Sequence, residues 1–247
     1  MTEMTTNLLL IRHGLTDYVT AHRTPGWTPG IHLNDEGRAQ AAALARQMAN
    51  LPQGLAAIYS SPLERALETA APLAAAYGLT TEVRQALGDL HPGDWTGRLV
   101  KELENERLWP IVQAYPSGAR LPGGESFQAC QARVVAELDA IRAAHPGQTV
   151  AVVFHADPIK MVVAYYLGLA LDLFRRLSIS PASVTALAFR PFGPQLLCLN
   201  HTGPLVIPPV QAARPESEAT DPEATNHIEP SVILSEAKNL AGDTQEH

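Results

Sequence analysis

"LLLIRHGLTDY" occupies residues 8–18, and its reading decides the fold. Four apolar residues, Leu8 to Ile11, run without interruption into Arg12, His13 and Gly14. Such a run is what a strand buried on both faces looks like. Its end does not suit a core strand, because two cation-capable side chains and a glycine stand where the chain must turn. In open α/β sheets, sites form just beyond the carboxyl ends of strands. A rigid buried strand that delivers Arg12 and His13 to the sheet edge fits that rule.

The rest of the chain supports the α/β reading. Residues 55–60 and 149–154 are two more apolar β-rich runs, 80–84 reads as a short strand, and 184–189 and 196–200 read as closing strands. Between them lie alanine-rich helical stretches at 34–50, 61–78, 126–147 and 157–168. Asn34 is placed to cap the first helix. Ser61 and Glu64 have capping-box spacing at the start of the second, with Pro62 at its first position and Gly78 at its end. Buried strands alternating with helices predict a three-layer αβα sandwich with a mostly parallel central sheet.

Charge is unevenly spread over the 247 residues. From Val206 onward there are eight acids against Arg214 and Lys238, a net charge of −6 out of −7, which leaves residues 1–205 close to −1. The division expected is a domain over 1–205 and an acidic, proline-rich, disordered tail over 206–247. A near-neutral body argues against broad nucleic-acid binding. Cys130 and Cys198 have no CxxC spacing, so neither a disulfide framework nor a structural zinc site is expected. No apolar run reaches the roughly 18 residues of a membrane span, and "MTEMTTN" lacks a signal-peptide pattern, so a soluble cytoplasmic protein is expected.

Three strand ends carry unusual residues: Arg12-His13-Gly14, Ser60-Ser61-Pro62-Leu63-Glu64-Arg65 and His155-Ala156-Asp157. Two histidines and two arginines would converge at one edge of the sheet. Arginine presents a planar fork of donors that matches phosphate oxygens. A histidine nitrogen can attack phosphorus or, carrying a proton, donate to a phosphate oxygen. Gly14 would let backbone N–H groups approach the anion. The sequence has no P-loop, no dinucleotide fingerprint after a strand and no H-E-x-x-H spacing, so no cofactor and no metal are expected.

These motifs, in this order, resemble the histidine phosphatase superfamily, also called phosphoglycerate mutase-like. "LIRHGLT" looks like its signature, and "LNDEGRAQAAALA" (33–45) its following helix. "SSPLERALETA" (60–70), "LGDLHPGDWTG" (87–97), "PGGES" (122–126) and "VVFHADPIK" (152–160) resemble its further elements, over about residues 7–200. The resemblance implies that His13 is a nucleophile and that Arg12, Arg65 and His155 surround the phosphoryl oxygens. It implies that Asp89 is the general acid and then the general base. It also places Gly14, Thr16, Glu125 and Ala156 on the substrate side.

The sequence departs from the family pattern in three places. Asp89 stands where the family has Glu, Ala156 where it has Gly, and Val19 where an Asn often helps to hold phosphate. The expected function is metal-independent hydrolysis of a small phosphorylated metabolite, with no nucleic-acid or membrane partner. The oligomeric state stays open, with a dimer among the options. Two alternatives also stay open. One is a mutase, although "DLHPG" lacks the Arg and Tyr of the family's E-R-H-Y-G run while Lys101 matches a lysine of such enzymes. The other is a module that only binds phosphorylated ligands. Trp27, Trp95, His22, His32 and His91 are candidates for the mouth of the site, and Tyr165 and Tyr166 read as core.

Overall fold

The structure, a computed structural model, describes residues 5–207. Among them a single six-stranded sheet is ordered β3-β2-β4-β1-β5-β6. The strands are β1 (Thr6–Arg12), β2 (Ala57–Ser60), β3 (Thr81–Val83), β4 (Thr149–Phe154), β5 (Val184–Arg190) and β6 (Gly193–His201). The β1–β4, β2–β4 and β2–β3 pairs are parallel, whereas β1–β5 and β5–β6 are antiparallel. The sheet is therefore mostly parallel, as expected, with the reversal confined to the two closing strands.

The helices are α1 (Asp17–Thr20), α2 (Asp35–Met48), α3 (Glu64–Tyr77), α4 (Val100–Leu103), α5 (Trp109–Ala114), α6 (Phe127–Ala144) and α7 (Ala156–Tyr166). Strand β1 shows how the layers form. Leu8 and Leu10 share a core with Val134 and Leu138 of α6 and with Ile159 and Val162 of α7. Leu9 and Ile11 point the other way, into a core with Leu44 and Met48 of α2 and Ala66, Ala70 and Leu73 of α3. A strand alternates its side chains between faces, so an unbroken aliphatic run is needed when both faces are covered.

The start of α2 forms as predicted, and α6 gains a cap of the same kind. Asn34 accepts from the Gly37 N–H and Ser126 from the Ala129 N–H, each closing a free donor at a helix start. The capping box at Ser61 does not form. Helix α3 begins at Glu64 behind Leu63, which makes no side-chain cap. The Ser61 hydroxyl lies 2.7 Å from Nε2 of His155 and accepts from the Leu63 N–H, outside the helix. Gly78 does end the helix in the left-handed conformation, at φ 63°.

Two aromatic expectations divide. Trp95 is buried in the core beside Trp109, and Tyr166 donates to Asp139. Tyr165, read as core, is 54% exposed, because the inward stripe of α7 runs through Ile159, Val162, Val163 and Tyr166 and leaves it outside. The expectation for the tail concerns residues that, from 208 on, lie outside those described. Among the described residues no helix is long and apolar enough to cross a membrane.

Candidate active site

Strand β4 lies between β1 and β2, and the register pairs Arg12 with Phe154 and Ser60 with Val153. The first residues beyond these three strands are therefore neighbours. His13, Ser61 and His155 stand side by side at the carboxyl edge. The rings of His13 and His155 are 5.3 Å apart between centroids. Both are almost fully buried, and Arg65, from the first turn of α3, is wholly buried.

The hydrogen bonds define the protonation of each ring. Nδ1 of His13 is 2.7 Å from the Gly14 carbonyl, which can only accept, so Nδ1 carries the proton. Nε2 then keeps a free lone pair. The Ser61 hydroxyl accepts from the Leu63 N–H at 3.3 Å and lies 2.7 Å from Nε2 of His155. With the Ser61 hydroxyl as donor to Nε2, the His155 proton sits on Nδ1, which is buried and has no partner. Burial, and after it the positive charge of Arg65, pushes both histidines well below the usual imidazole value, so both are neutral.

The arginines are also only partly satisfied. Nη2 of Arg65 donates to the Gly26 carbonyl at 2.7 Å and to Oδ2 of Asp89 at 3.2 Å, while its Nε and Nη1 are buried without a partner. Nη1 of Arg12 donates to the Ile179 carbonyl at 2.7 Å, and its Nε is a further buried donor without a partner. A buried guanidinium with idle N–H groups is costly unless an anion arrives to take them. Four such buried donors without partners sit on three side chains at the sheet edge that carries His13, an arrangement an anion could satisfy.

Asp89 completes the group. Oδ2 lies 3.8 Å from Nδ1 of His155 as well as against Arg65, and Oδ1 accepts from the Leu90 N–H at 2.9 Å. Burial pushes its carboxyl up to about 6, against the pull of Arg65; the neighbouring Asp157 adds to the rise. A carboxyl poised there can give and take a proton near neutral pH.

The other expected residues take supporting places. Gly14 does not offer its N–H to an anion, because that N–H donates to Oγ1 of Thr69 at 2.9 Å. The glycine is required for packing: a β-carbon there would meet the Gly37 carbonyl oxygen at 2.7 Å. Thr16 is buried and caps α1. Ala156 opens α7 and packs on the core. Glu125 accepts from the His91 N–H and from Arg133, behind the loop that carries Asp89. Val19 lies in α1, and Lys101 is exposed on α4.

Of the residues at the mouth, Trp27 donates its indole N–H to the Asp89 carbonyl at 2.6 Å and stacks on His91. His22 is exposed, and His32 is exposed and pairs with Glu68. Three contributors escaped the sequence reading: Ser61 as the partner of His155, Arg133 behind the acid loop, and Ala182. The N–H of Ala182, at φ 53°, donates to the carbonyls of Arg12 and His13. Only the Ser-Ser-Pro step hinted at the first, and no local signal marked the other two.

Comparison with known proteins places this geometry. A family model described as the histidine phosphatase superfamily (branch 1) matches residues 8–202. The chain is similar to the bifunctional protein Rv2228c of Mycobacterium tuberculosis, at 36% identity over 205 residues, covering 80% of this chain and 54% of that protein. It therefore spans about half the length of that relative. It is similar to phosphoserine phosphatase 1 of Hydrogenobacter thermophilus, at 31% identity over 200 residues, covering 79% of this chain and 92% of that protein. Among solved structures it resembles a mycobacterial glucosyl-3-phosphoglycerate phosphatase. The TM-score is 0.72 at 28% identity, covering 79% of this chain and 98% of that one.

Proposed function

The chain belongs to the histidine phosphatase superfamily, and from that premise we propose that it hydrolyses small phosphomonoesters through a phosphohistidine formed on His13. One observation carries the reading. Buried donors without partners, Nε and Nη1 of Arg65, Nε of Arg12 and Nδ1 of His155, lie on the residues that share the sheet edge with His13, whose Nε2 lone pair is free. Three equatorial phosphoryl oxygens have the charge and the acceptor sites to satisfy those donors.

The steps follow from these positions. Nε2 of His13 attacks phosphorus in line as the bond to the leaving oxygen breaks. Asp89, protonated in the free enzyme below about pH 6, passes its proton to that oxygen. Arg12, Arg65 and His155 stabilise the charge spread over the phosphoryl oxygens in the transition state. Water then enters, Asp89 takes its proton, the oxygen bonds to phosphorus and the P–N bond breaks. Phosphate leaves, and both side chains return to their starting state. The names of two relatives, phosphoserine phosphatase and glucosyl-3-phosphoglycerate phosphatase, support a small phosphorylated metabolite as substrate.

The test is turnover of p-nitrophenyl phosphate at pH 5–7, with and without a chelator, by the wild type and by His13→Ala. The wild type is expected to turn over equally in both buffers, and the variant to lose activity by at least about 10³-fold. A folded His13→Ala protein with the wild-type rate would sink the reading. Binding of phosphate without turnover would favour a ligand-binding module instead.

A further inference from the structure

The loop that carries Asp89 is held from behind by one side chain. Arg133 lies on α6, with the buried Cys130 and Val134 beside it. Its Nη1 donates to the carbonyls of Ala86 at 2.7 Å and Gly88 at 3.1 Å. Its Nη2 donates to the Asp89 carbonyl at 3.2 Å and to Oε1 of Glu125 at 2.7 Å. That same Oε1 accepts from the His91 N–H at 2.9 Å, and the Glu125 N–H donates to the His91 carbonyl at 3.0 Å.

Trp27 closes the loop from the other side. Its indole N–H reaches the Asp89 carbonyl, and its ring stacks on His91 at 5.1 Å between centroids with an 11° tilt. The ring also covers Gly88 so closely that a β-carbon there would lie 1.9 Å from it. The Arg133 guanidinium stands 6.0 Å from the centre of the Trp27 ring.

Three carbonyls from one short bend therefore converge on one planar fork of donors. A fork fixes the bend far more tightly than a point charge would. An aspartate depends on this more than a glutamate does. It has one fewer rotatable bond, so its carboxyl follows the backbone and cannot swing to correct an error. Proton transfer needs hydrogen-bond reach to the leaving oxygen, and a misplacement of about 1 Å can cost about 10²-fold.

We propose that Arg133, supported by Glu125 and Trp27, is a positioning residue that fixes the reach of the Asp89 carboxyl to the leaving-group oxygen. This rests on the phosphatase reading above. It predicts a defect that depends on the leaving group. p-Nitrophenolate departs without a proton, whereas the alkoxide of β-glycerophosphate must receive one.

The experiment measures kcat/KM for both substrates in the wild type, Arg133→Gln and Trp27→Phe. The ratio of alkyl to aryl turnover is expected to fall about tenfold or more in Arg133→Gln, and in the same direction in Trp27→Phe. Partial unfolding lowers both substrates by one factor and leaves the ratio unchanged, so a merely structural role does not move it. If Arg133→Gln does not fold, Trp27→Phe decides. A ratio within about twofold of the wild type in every folded variant overturns the positioning role alone. A wild type inactive on both substrates overturns the phosphatase reading, and the positioning role falls with it.

Discussion

Replacing Asp89 by Asn tests whether the site keeps a carboxyl protonated at the expense of stability. The carboxyl is pushed from 3.8 to about 6, chiefly by burial. The unfolded chain therefore releases this proton before the native state does. Between those two values the native state binds more proton, so its stability falls as pH rises through the window and levels off above about 6. At about 1.4 kcal/mol per unit, the full shift is worth a ceiling of about 3 kcal/mol. The attraction to Arg65 is already contained in that value.

Asparagine has nearly the same shape and does not titrate. Asp89→Asn is therefore expected to be more stable than the wild type at pH 7.5, by up to about 3 kcal/mol. At roughly 2–4 °C per kcal/mol for a chain of this size, the melting temperature would rise by up to about 12 °C. At pH 4 the advantage should shrink to well under about 1 kcal/mol. Activity on alkyl phosphates should fall about 10²–10⁴-fold over the range where the wild type works. Urea unfolding at both pH values reads the stability difference. A variant less stable than the wild type at pH 7.5, or one with the same advantage at both, would refute the claim that burial holds this carboxyl protonated.

Three further outcomes follow from the same geometry. Because Asp89 must begin protonated and the two histidines stay neutral, kcat/KM for an alkyl phosphate should fall about tenfold per unit above about pH 6; a flat profile from pH 4 to 9 would contradict the acid role. Ser61→Ala removes the hydroxyl 2.7 Å from Nε2 of His155 and frees the ring to place its proton on the wrong nitrogen. It should lower kcat by about 10–100-fold, while Ser61→Thr, which keeps a hydroxyl, recovers part of the loss. Gly14→Ala drives a β-carbon to 2.7 Å from the Gly37 carbonyl oxygen and should destabilise by about 1–3 kcal/mol, read by urea unfolding.

What the sequence alone determined lies in contiguous stretches. The aliphatic run of Leu8–Ile11 needs no partner to be read as a doubly covered strand. The Asn34 cap needs only the helix beside it. The strand ends marked His13, Arg65 and His155, and the resemblance of the ordered motifs to the family added Asp89. The tertiary structure alone decided how every donor is used. The Ser61 hydroxyl met a ring 94 residues away, and α3 starts at Glu64 rather than behind a Ser61 cap. The Gly14 N–H went to Thr69, and the need for glycine came from Gly37. Glu125 and Arg133 turned out to brace the acid loop from behind. The Asp89 carboxyl rose because residues from several elements enclose it. Apolar periodicity is a property of neighbours along the chain, whereas hydrogen-bond partners and burial depend on groups that meet only when the chain has folded.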